Sequence, residues 1–479
     1  MSNMDFRKIR FGYASAEKES VEAPDLLLEG YMDFRAISDE AQRGAKFLFL
    51  GYKGSGKSAI GERLKLVSQA DPLTFHAALS LEDFPFTPFS KMIRGEAEPE
   101  AKYPDAWSWL ILTYVLDSLS KDNGAKSLGN SPTALFDTTE ILRNMGLCPA
   151  PNLKEVIRAT TKKTFKISVP KFLEGNFEGI DPTKAYDLPS FVEILKNVVC
   201  DIRSESVHYI TIDGLDDILS SRQVQYKSLG SLVFEVNRLN TLFRQKNVPV
   251  RIILLCRTDL FDRIAGANKN KIRQDSAIEL DWYADPNNPK ESLLIKTANL
   301  RAQMLYKGID VFETFFPDKI GGKAIEGHLL QVTRHTPRDF FQLLTRLQNF
   351  YSGGKFSEAQ IRSGIREYSQ KYFLTELFDE MHGFAKDKEA EKLFGAMEDF
   401  GRREFNIDEF AQSRQVADIP RERLEHLFER LFECSAIGHV DHSRGHPIFS
   451  FKYRNALASF YPSKKITVHR GLWKALNLN

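Results

Sequence analysis

The sequence predicts an α/β fold: a parallel sheet with helices on both faces, then a helical region, then a small C-terminal domain of three helices and a hairpin. Three observations carry this. An apolar run, Phe47 to Leu50, enters the glycine-rich stretch "GYKGSGKS" (51–58), and Ala59 to Leu66 continues with good helix formers. A second, mostly apolar run (207–212) ends in "DGLDD" (213–217), and a third, Ile252 to Cys256, ends in Arg257-Thr258-Asp259. Short apolar runs separated by helical patterns read as parallel strands joined by crossover helices.

The first element to justify is the loop. Gly51, Gly54 and Gly56 remove side chains where the backbone must turn sharply and approach something closely. Gly51 to Ser58 fits Gly-x-x-x-x-Gly-Lys-[Ser/Thr] at every fixed position, a pattern expected by chance in roughly 2% of chains this long. Strand, glycine loop and helix together make a phosphate site. Backbone N–H groups of Gly51, Tyr52, Lys53, Gly54, Ser55, Gly56, Lys57, Ser58 and Ala59 line the concavity, and the following helix adds its positive end. Lys57 is expected to reach the β- and γ-phosphates, and the Ser58 hydroxyl to ligate magnesium.

The next element is the strand that ends at Asp213, the candidate carboxylate of the magnesium shell, since ligands of open parallel sheets collect at the strands' C-terminal ends. Asp216 and Asp217 follow as candidates to orient an attacking water; the alternative is an acidic turn capping the next helix. Arg257, at the end of the third run, is a candidate to contact a γ-phosphate, or else to form an ordinary salt bridge to the acidic cluster of Asp213, Asp216 and Asp217. In "RHTPRDF" (334–340), Thr336 is an N-cap candidate, Pro337 suits the first helical position and Asp339 completes a capping-box-like pattern. Arg338 then sits in the first turn, where a cation opposes the macrodipole. It calls for an anionic partner such as phosphate, or lies exposed and unpaired.

With 479 residues, 42% hydrophobic and 27% charged, the chain is expected to hold two or three domains and to be cytoplasmic. No run approaches the ~20 apolar residues of a membrane span, and the N-terminus lacks a signal-peptide pattern. Cys148, Cys200, Cys256 and Cys434 are too widely spaced for a metal motif. Net charge is +2, but His442 to Asn479 has no acid against seven Lys or Arg. The expected domains are 1–285, with an inserted section at about 84–206; 286–380, a helical lid; and 381–479. The insertion holds an aromatic-rich helix (105–119) and a basic stretch (160–171), and reads as a partner-binding subdomain or as a plain crossover. Phe11 and Tyr13 are weak candidates to touch a base. Helices at 390–400, 407–414 and 420–432 followed by a hairpin are the winged-helix pattern. Its basic tail favours nucleic-acid phosphates, while Glu422, Glu425 and Glu429 on the third helix oppose them, so DNA and protein both stay open as partners.

Together, "GYKGSGKS", "ITIDGLDD", "ILLCRTD" and "HTPRDF" resemble AAA+-related and STAND/NACHT-type P-loop ATPases. The chain is also similar, over nearly its whole length, to a group of bacterial P-loop ATPases first noted in a cyanobacterium, sharing the loop, "IDGLDD" and the "HRGLWKALN" end. The resemblance implies an ASCE-type P-loop NTPase core, helical lid and winged helix, with ATP and magnesium as cofactors. Lys57 and Ser58 then bind the phosphates and magnesium, Asp213 completes the metal shell, and Asp216 or Asp217 serves the water. Arg257 and Arg338 match the two sensor arginines. Many hydrolysing relatives have glutamate in place of Asp217, which implies slow turnover. The expected function is an ATP-dependent switch of signalling or defence type, homo-oligomeric or not. Its alternatives are a DNA-acting loader with a finger among Arg263, Arg273 and Arg301, and a scaffold of negligible turnover. Without an Asn-Lys-x-Asp motif, ATP is expected over GTP.

Overall fold

A computed structural model describes residues 4–33, 36–44, 46–82, 84, 89, 99–129, 131–148, 167–168, 185–215, 223–264, 266, 268–283, 285–386, 388–443 and 445–478. They form two compact units.

The first unit comprises residues 35–52 and 57–280. Its elements are β1 (Leu48–Gly51), α1 (Lys57–Ala70), β2 (Thr74–Ser80), α2 (Pro99–Leu119), α3 (Leu188–Cys200), β3 (Val207–Asp213), α4 (Gln223–Gln245), β4 (Val250–Arg257), α5 (Thr258–Arg263) and β5 (Ala277–Glu279). The five strands make one parallel sheet in the order β2-β3-β4-β1-β5. The P-loop NTPase α/β class expected from the sequence is the class observed. A single strand, β4, separates the loop-bearing β1 from the Asp213-bearing β3.

The order explains the composition. Central strands of a parallel sheet are covered on both faces and read as continuous apolar runs; β1 is buried throughout and β4 nearly so. The edge strand β2, "TFHAALS", keeps polar residues. Helices α2 and α3, from the section expected as an insertion, share one apolar cluster with the sheet, centred on Trp107, Trp109 and Leu195. The indole N–H of Trp107 donates to the Ser228 carbonyl of α4 at 3.0 Å. Of the basic stretch 160–171, only residues 167 and 168 are among those described.

The second unit comprises residues 1–34, 53–56 and 281–479. Its main elements are α6 (Leu293–Gln303), α7 (Pro337–Gln348), α8 (Glu358–Tyr368), α9 (Leu374–Met381), α10 (Glu389–Phe400), β6 (Glu404–Phe405), α11 (Ile407–Phe410), α12 (Arg421–Glu433), β7 (Ile437–Asp441), β8 (Ile448–Ser450) and β9 (Ile466–Val468). The strands form an antiparallel sheet in the order β6-β9-β7-β8. The N-terminal segment belongs to this unit's core. Phe6 meets Phe11, Phe315 and Phe356 at 5.2, 5.3 and 5.1 Å between ring centroids. Phe11 is therefore a core residue, 1% exposed, and not an open platform for a base.

His76 on β2 places its Nε2 2.9 Å from the Thr211 hydroxyl of β3, and burial pushes its pKa from 6.5 down to about 4. In the unfolded chain the imidazole protonates as pH falls through 6.5, while in the fold it stays neutral to about 4, so stability falls as pH drops across that window. We expect acidification from pH 7.5 to 5 to cost the wild type about 2 kcal/mol more than His76→Gln, read from urea unfolding at the two pH values.

Candidate functional site

In the first unit the site begins where β1 runs out. Gly51 lies opposite Arg257 in the β1–β4 register, and Ser80 opposite Asp213 in the β2–β3 register, so the expected residues gather at the C-terminal edge of the sheet. Helix α1 starts at Lys57. The Ser58 hydroxyl donates to Asp213 Oδ2 at 2.7 Å. Asp213 is fixed from its other oxygen by the N–H of Gly214 at 2.8 Å. Gly214 has φ +83°, and a Cβ there would lie 2.6 Å from the Glu82 nitrogen, so only glycine lets the chain turn off β3 here.

Lys57 is 6% exposed. Its ammonium donates to the carbonyls of Gly51 and Tyr52, each at 3.2 Å, and has no carboxylate partner among the described residues. A buried charge without an ionic partner is unfavourable, and an anion at the loop would supply one. Ala59 continues the helix behind it. Asp216 and Asp217 lie outside the described residues.

Arg257 is buried and forms a fork with Asp259, Nε to Oδ1 and Nη2 to Oδ2 at 2.9 Å each. Among the described residues its carboxylate partner is thus Asp259, two residues on, and not a member of the acidic cluster after β3 that the sequence offered as the alternative.

The second unit holds the loop tip, residues 53–56, against the start of α7. Thr336 caps that helix, its hydroxyl accepting from the Asp339 N–H at 3.3 Å, and Pro337 opens it. The N–H of Arg338 donates to the Gly54 carbonyl at 3.3 Å. Gly54 has φ +79°, and a Cβ there would lie 3.1 Å from Arg338 Cβ and 3.2 Å from Thr336 Oγ1. The indole N–H of Trp282 donates to the Ser55 carbonyl at 2.8 Å. The Ser55 hydroxyl is buried and without a hydrogen-bond partner among the described residues. Such an orphaned donor fits an oxygen-rich anion at the loop tip.

Arg338 does have an anionic partner, but it is Glu376 on α9, at 3.8 Å; the same carboxylate oxygen lies 3.3 Å from Lys53. The capping box is half formed. Asp339's carboxylate turns away from the N-cap to take the Arg334 guanidinium at 2.9 and 3.0 Å and the Tyr372 hydroxyl at 3.0 Å. Sequence reasoning missed Trp282 and Glu376, since neither lies in a motif, and Arg334, which opens "RHTPRDF" but whose pairing with Asp339 follows no spacing rule.

Among the candidate fingers, Arg301 is 7% exposed and paired with Glu19 at 2.7 Å, which gives it a structural role. Arg273 holds Asp262 and Glu279 at 2.8 and 2.6 Å. Arg263 donates to the Tyr226 hydroxyl at 3.1 Å.

Among the described residues no three His, Cys, Asp or Glu side chains could hold a metal ion. Magnesium is usually held by one or two protein oxygens together with phosphates and waters. Ser58 and Asp213 are such a pair. No described helix is long and apolar enough to cross a membrane.

No family model matches the chain, and no curated protein matches it. Among solved structures it is similar to Cdc6p from Pyrobaculum aerophilum, at 11% identity over 97% of this chain and 95% of that one, with a TM-score of 0.28. It is also similar to Drosophila ORC bound to DNA, at 11% identity over 96% of each chain, with a TM-score of 0.29. At such scores neither likeness says anything of activity or partners; the fold class stands on the sheet and the loop.

Gly54→Ala should strain the loop and push against α7, costing about 1–2 kcal/mol from its left-handed φ alone. A lowered melting temperature checks this, and Gly353→Ala, also at positive φ (+110°) but with no atom within 4 Å of its Cβ position, serves as the uncrowded control.

Proposed function

We propose that the chain binds ATP with magnesium at residues 51–59 and acts as a nucleotide-controlled switch of the AAA+-related signalling type, with slow hydrolysis. One observation carries the reading: a buried lysine ammonium lacking an anion sits one residue before a serine hydroxyl already bonded to a strand-end aspartate. Loop N–H groups and Lys57 bind and orient the phosphates, while Ser58 and Asp213 hold the metal. Magnesium, when bound, supplies positive charge to the phosphate oxygens. Asp216 or Asp217 is assigned to water, and Arg257 to the phosphate edge, by position in the sequence.

The switch reading is supported by α7, whose first turn lies on Gly54. An anion at the loop competes with Glu376 of α9 for Arg338 of α7 and for Lys53 of the loop tip. We assign residues 286–380 to the lid and 381–479 to a winged helix; α10, α12 and the β7–β8 pair support the reading, while α11 covers only Ile407–Phe410 of the expected 407–414. The outer face of α12 exposes Glu422 and Glu429, with Glu425 half-buried; a major groove would repel it, so this helix is assigned to a protein partner. The second reading, a DNA-acting loader, rests on the acid-free basic tail.

Phosphate release from ATP decides between them. Lys57→Ala should weaken ATP binding about 10- to 100-fold, the worth of one or two hydrogen bonds to a charged group. Asp213→Asn should abolish the magnesium dependence of what binding is left. Turnover indifferent to duplex and single-stranded DNA fits the switch; strong stimulation, lost in Lys57→Ala, would instead establish the loader. Undiminished ATP binding in Lys57→Ala would remove the phosphate site altogether.

A further inference from the structure

Four cations meet in the second unit around a cavity of about 220 Å³: Lys323, Arg403, Arg454 and Arg470. They come from four separate segments, and no loop residue lines the cavity. Among the described residues the wall has one carboxylate, Glu404, and it is taken by His442 at 2.8 Å and Lys465 at 3.4 Å. Among the described residues none of the four cations has an acidic partner. Instead, aromatic rings and amides hold them. The Arg403 guanidinium lies 3.9 Å over Trp473 and that of Arg470 5.1 Å from the same ring. Arg454 donates to the Tyr453 hydroxyl at 2.9 Å. Gln331 Oε1 accepts from Arg470 at 2.6 Å and from Lys323 at 3.2 Å.

Stacking and amide contacts fix a guanidinium without neutralising it, so the forks stay available to a phosphate. The strain of the assembly shows in the free groups: burial, then Arg470 and Arg454, lower the Lys323 ammonium, and burial, then Arg454 and Arg403, lower Arg470. At the rim, Phe449 on β8 is 37% exposed and offers a ring face. At about 30 Å³ per water molecule, the cavity has more room than a lone phosphate fills.

We propose that this cavity binds one phosphorylated nucleotide, free or as a unit of a single strand, with its phosphate among Arg403, Arg454, Arg470 and Lys323 and its base against Phe449. A cationic pocket beside an exposed aromatic is how single-stranded nucleic acid is held without sequence preference. The site is independent of ATP at the loop.

The test is fluorescence anisotropy of a labelled ten-residue oligothymidylate with full-length Lys57→Ala protein, competed by thymidine 5′-monophosphate. Binding should equal that of the wild type and fall about 100-fold in Lys323→Glu with Arg403→Glu, with a shallower salt dependence. Both side chains are exposed, so the fold should survive their reversal. Displacement by the monophosphate identifies a free-nucleotide site; an oligonucleotide that binds and resists it identifies a strand site. Absence of binding by either probe, or equal affinity in the double variant, overturns the proposal. A second measurement guards against a purely structural role: Arg403→Gln removes one of four repelling cations and should hold or raise the melting temperature, whereas a clear fall would overturn the reading. Because binding is read without the loop lysine, failure here and failure of the ATP reading are separate results.

Discussion

A buried lysine ammonium whose partners among the described residues are two carbonyls is the constraint on which the first unit's functional edge depends. Burial of an unpaired charge is tolerated where an anion arrives to complete it. Strand β1 ends at Gly51, level with Arg257 on β4. The Ser58 hydroxyl is fixed on Asp213, and the chain turns off β3 at Gly214. The apolar strands hold these polar termini in place because a slip of one residue would exchange their buried and exposed faces.

In the second unit a comparable role falls to Arg334 and Asp339. Burial alone would raise the Asp339 carboxyl, and the Arg334 guanidinium more than reverses it, holding it below the usual carboxylate range. Tyr372, delivered by a π-helical turn at Ser369–Phe373, adds its hydroxyl. Removing one member of such a pair typically costs 3–5 kcal/mol, although replacing both by apolar groups can cost nothing. The pair therefore specifies more than it stabilises. It sets the entry of α7, and with it the Arg338 N–H on Gly54. Tyr453, in the wall of the cationic cavity, stacks on His335 at 5.2 Å, and His335 directly precedes the N-cap of α7.

The core strands and the phosphate loop were legible because their signals are local: apolar runs bounded by glycine, and a motif whose spacing is fixed by phosphate geometry. Thr336 and Pro337 were legible for the same reason. Strand order was not, since pairing of β1 between β4 and β5 joins residues some two hundred positions apart. Asp339 shows how a local rule gives way. Its position suits a capping box, but a buried guanidinium is the stronger partner for a carboxylate than a backbone N–H. Glu376 and Trp282 had no local signal at all, because each acts through one contact made by tertiary packing.

The charge pattern of the C-terminal region follows the same logic. A net charge of +2 over the whole chain conceals two opposed surfaces. The acid-free tail suggested a diffuse basic strip, yet two of its arginines, Arg454 and Arg470, are drawn inward to meet Lys323 and Arg403 from outside the tail. Lys465 is turned to Glu404, and Lys464 lies over the Tyr461 ring. Exposed pairs of that kind contribute little, about 0–1 kcal/mol. Four cations gathered with no carboxylate paired to any of them among the described residues are different: their mutual repulsion persists in the free protein and is relieved by an anion. Concentrated charge of this sort costs stability wherever it serves no ligand, and that cost, set beside an acidic α12, separates a built site from the ordinary scatter of surface lysines and arginines.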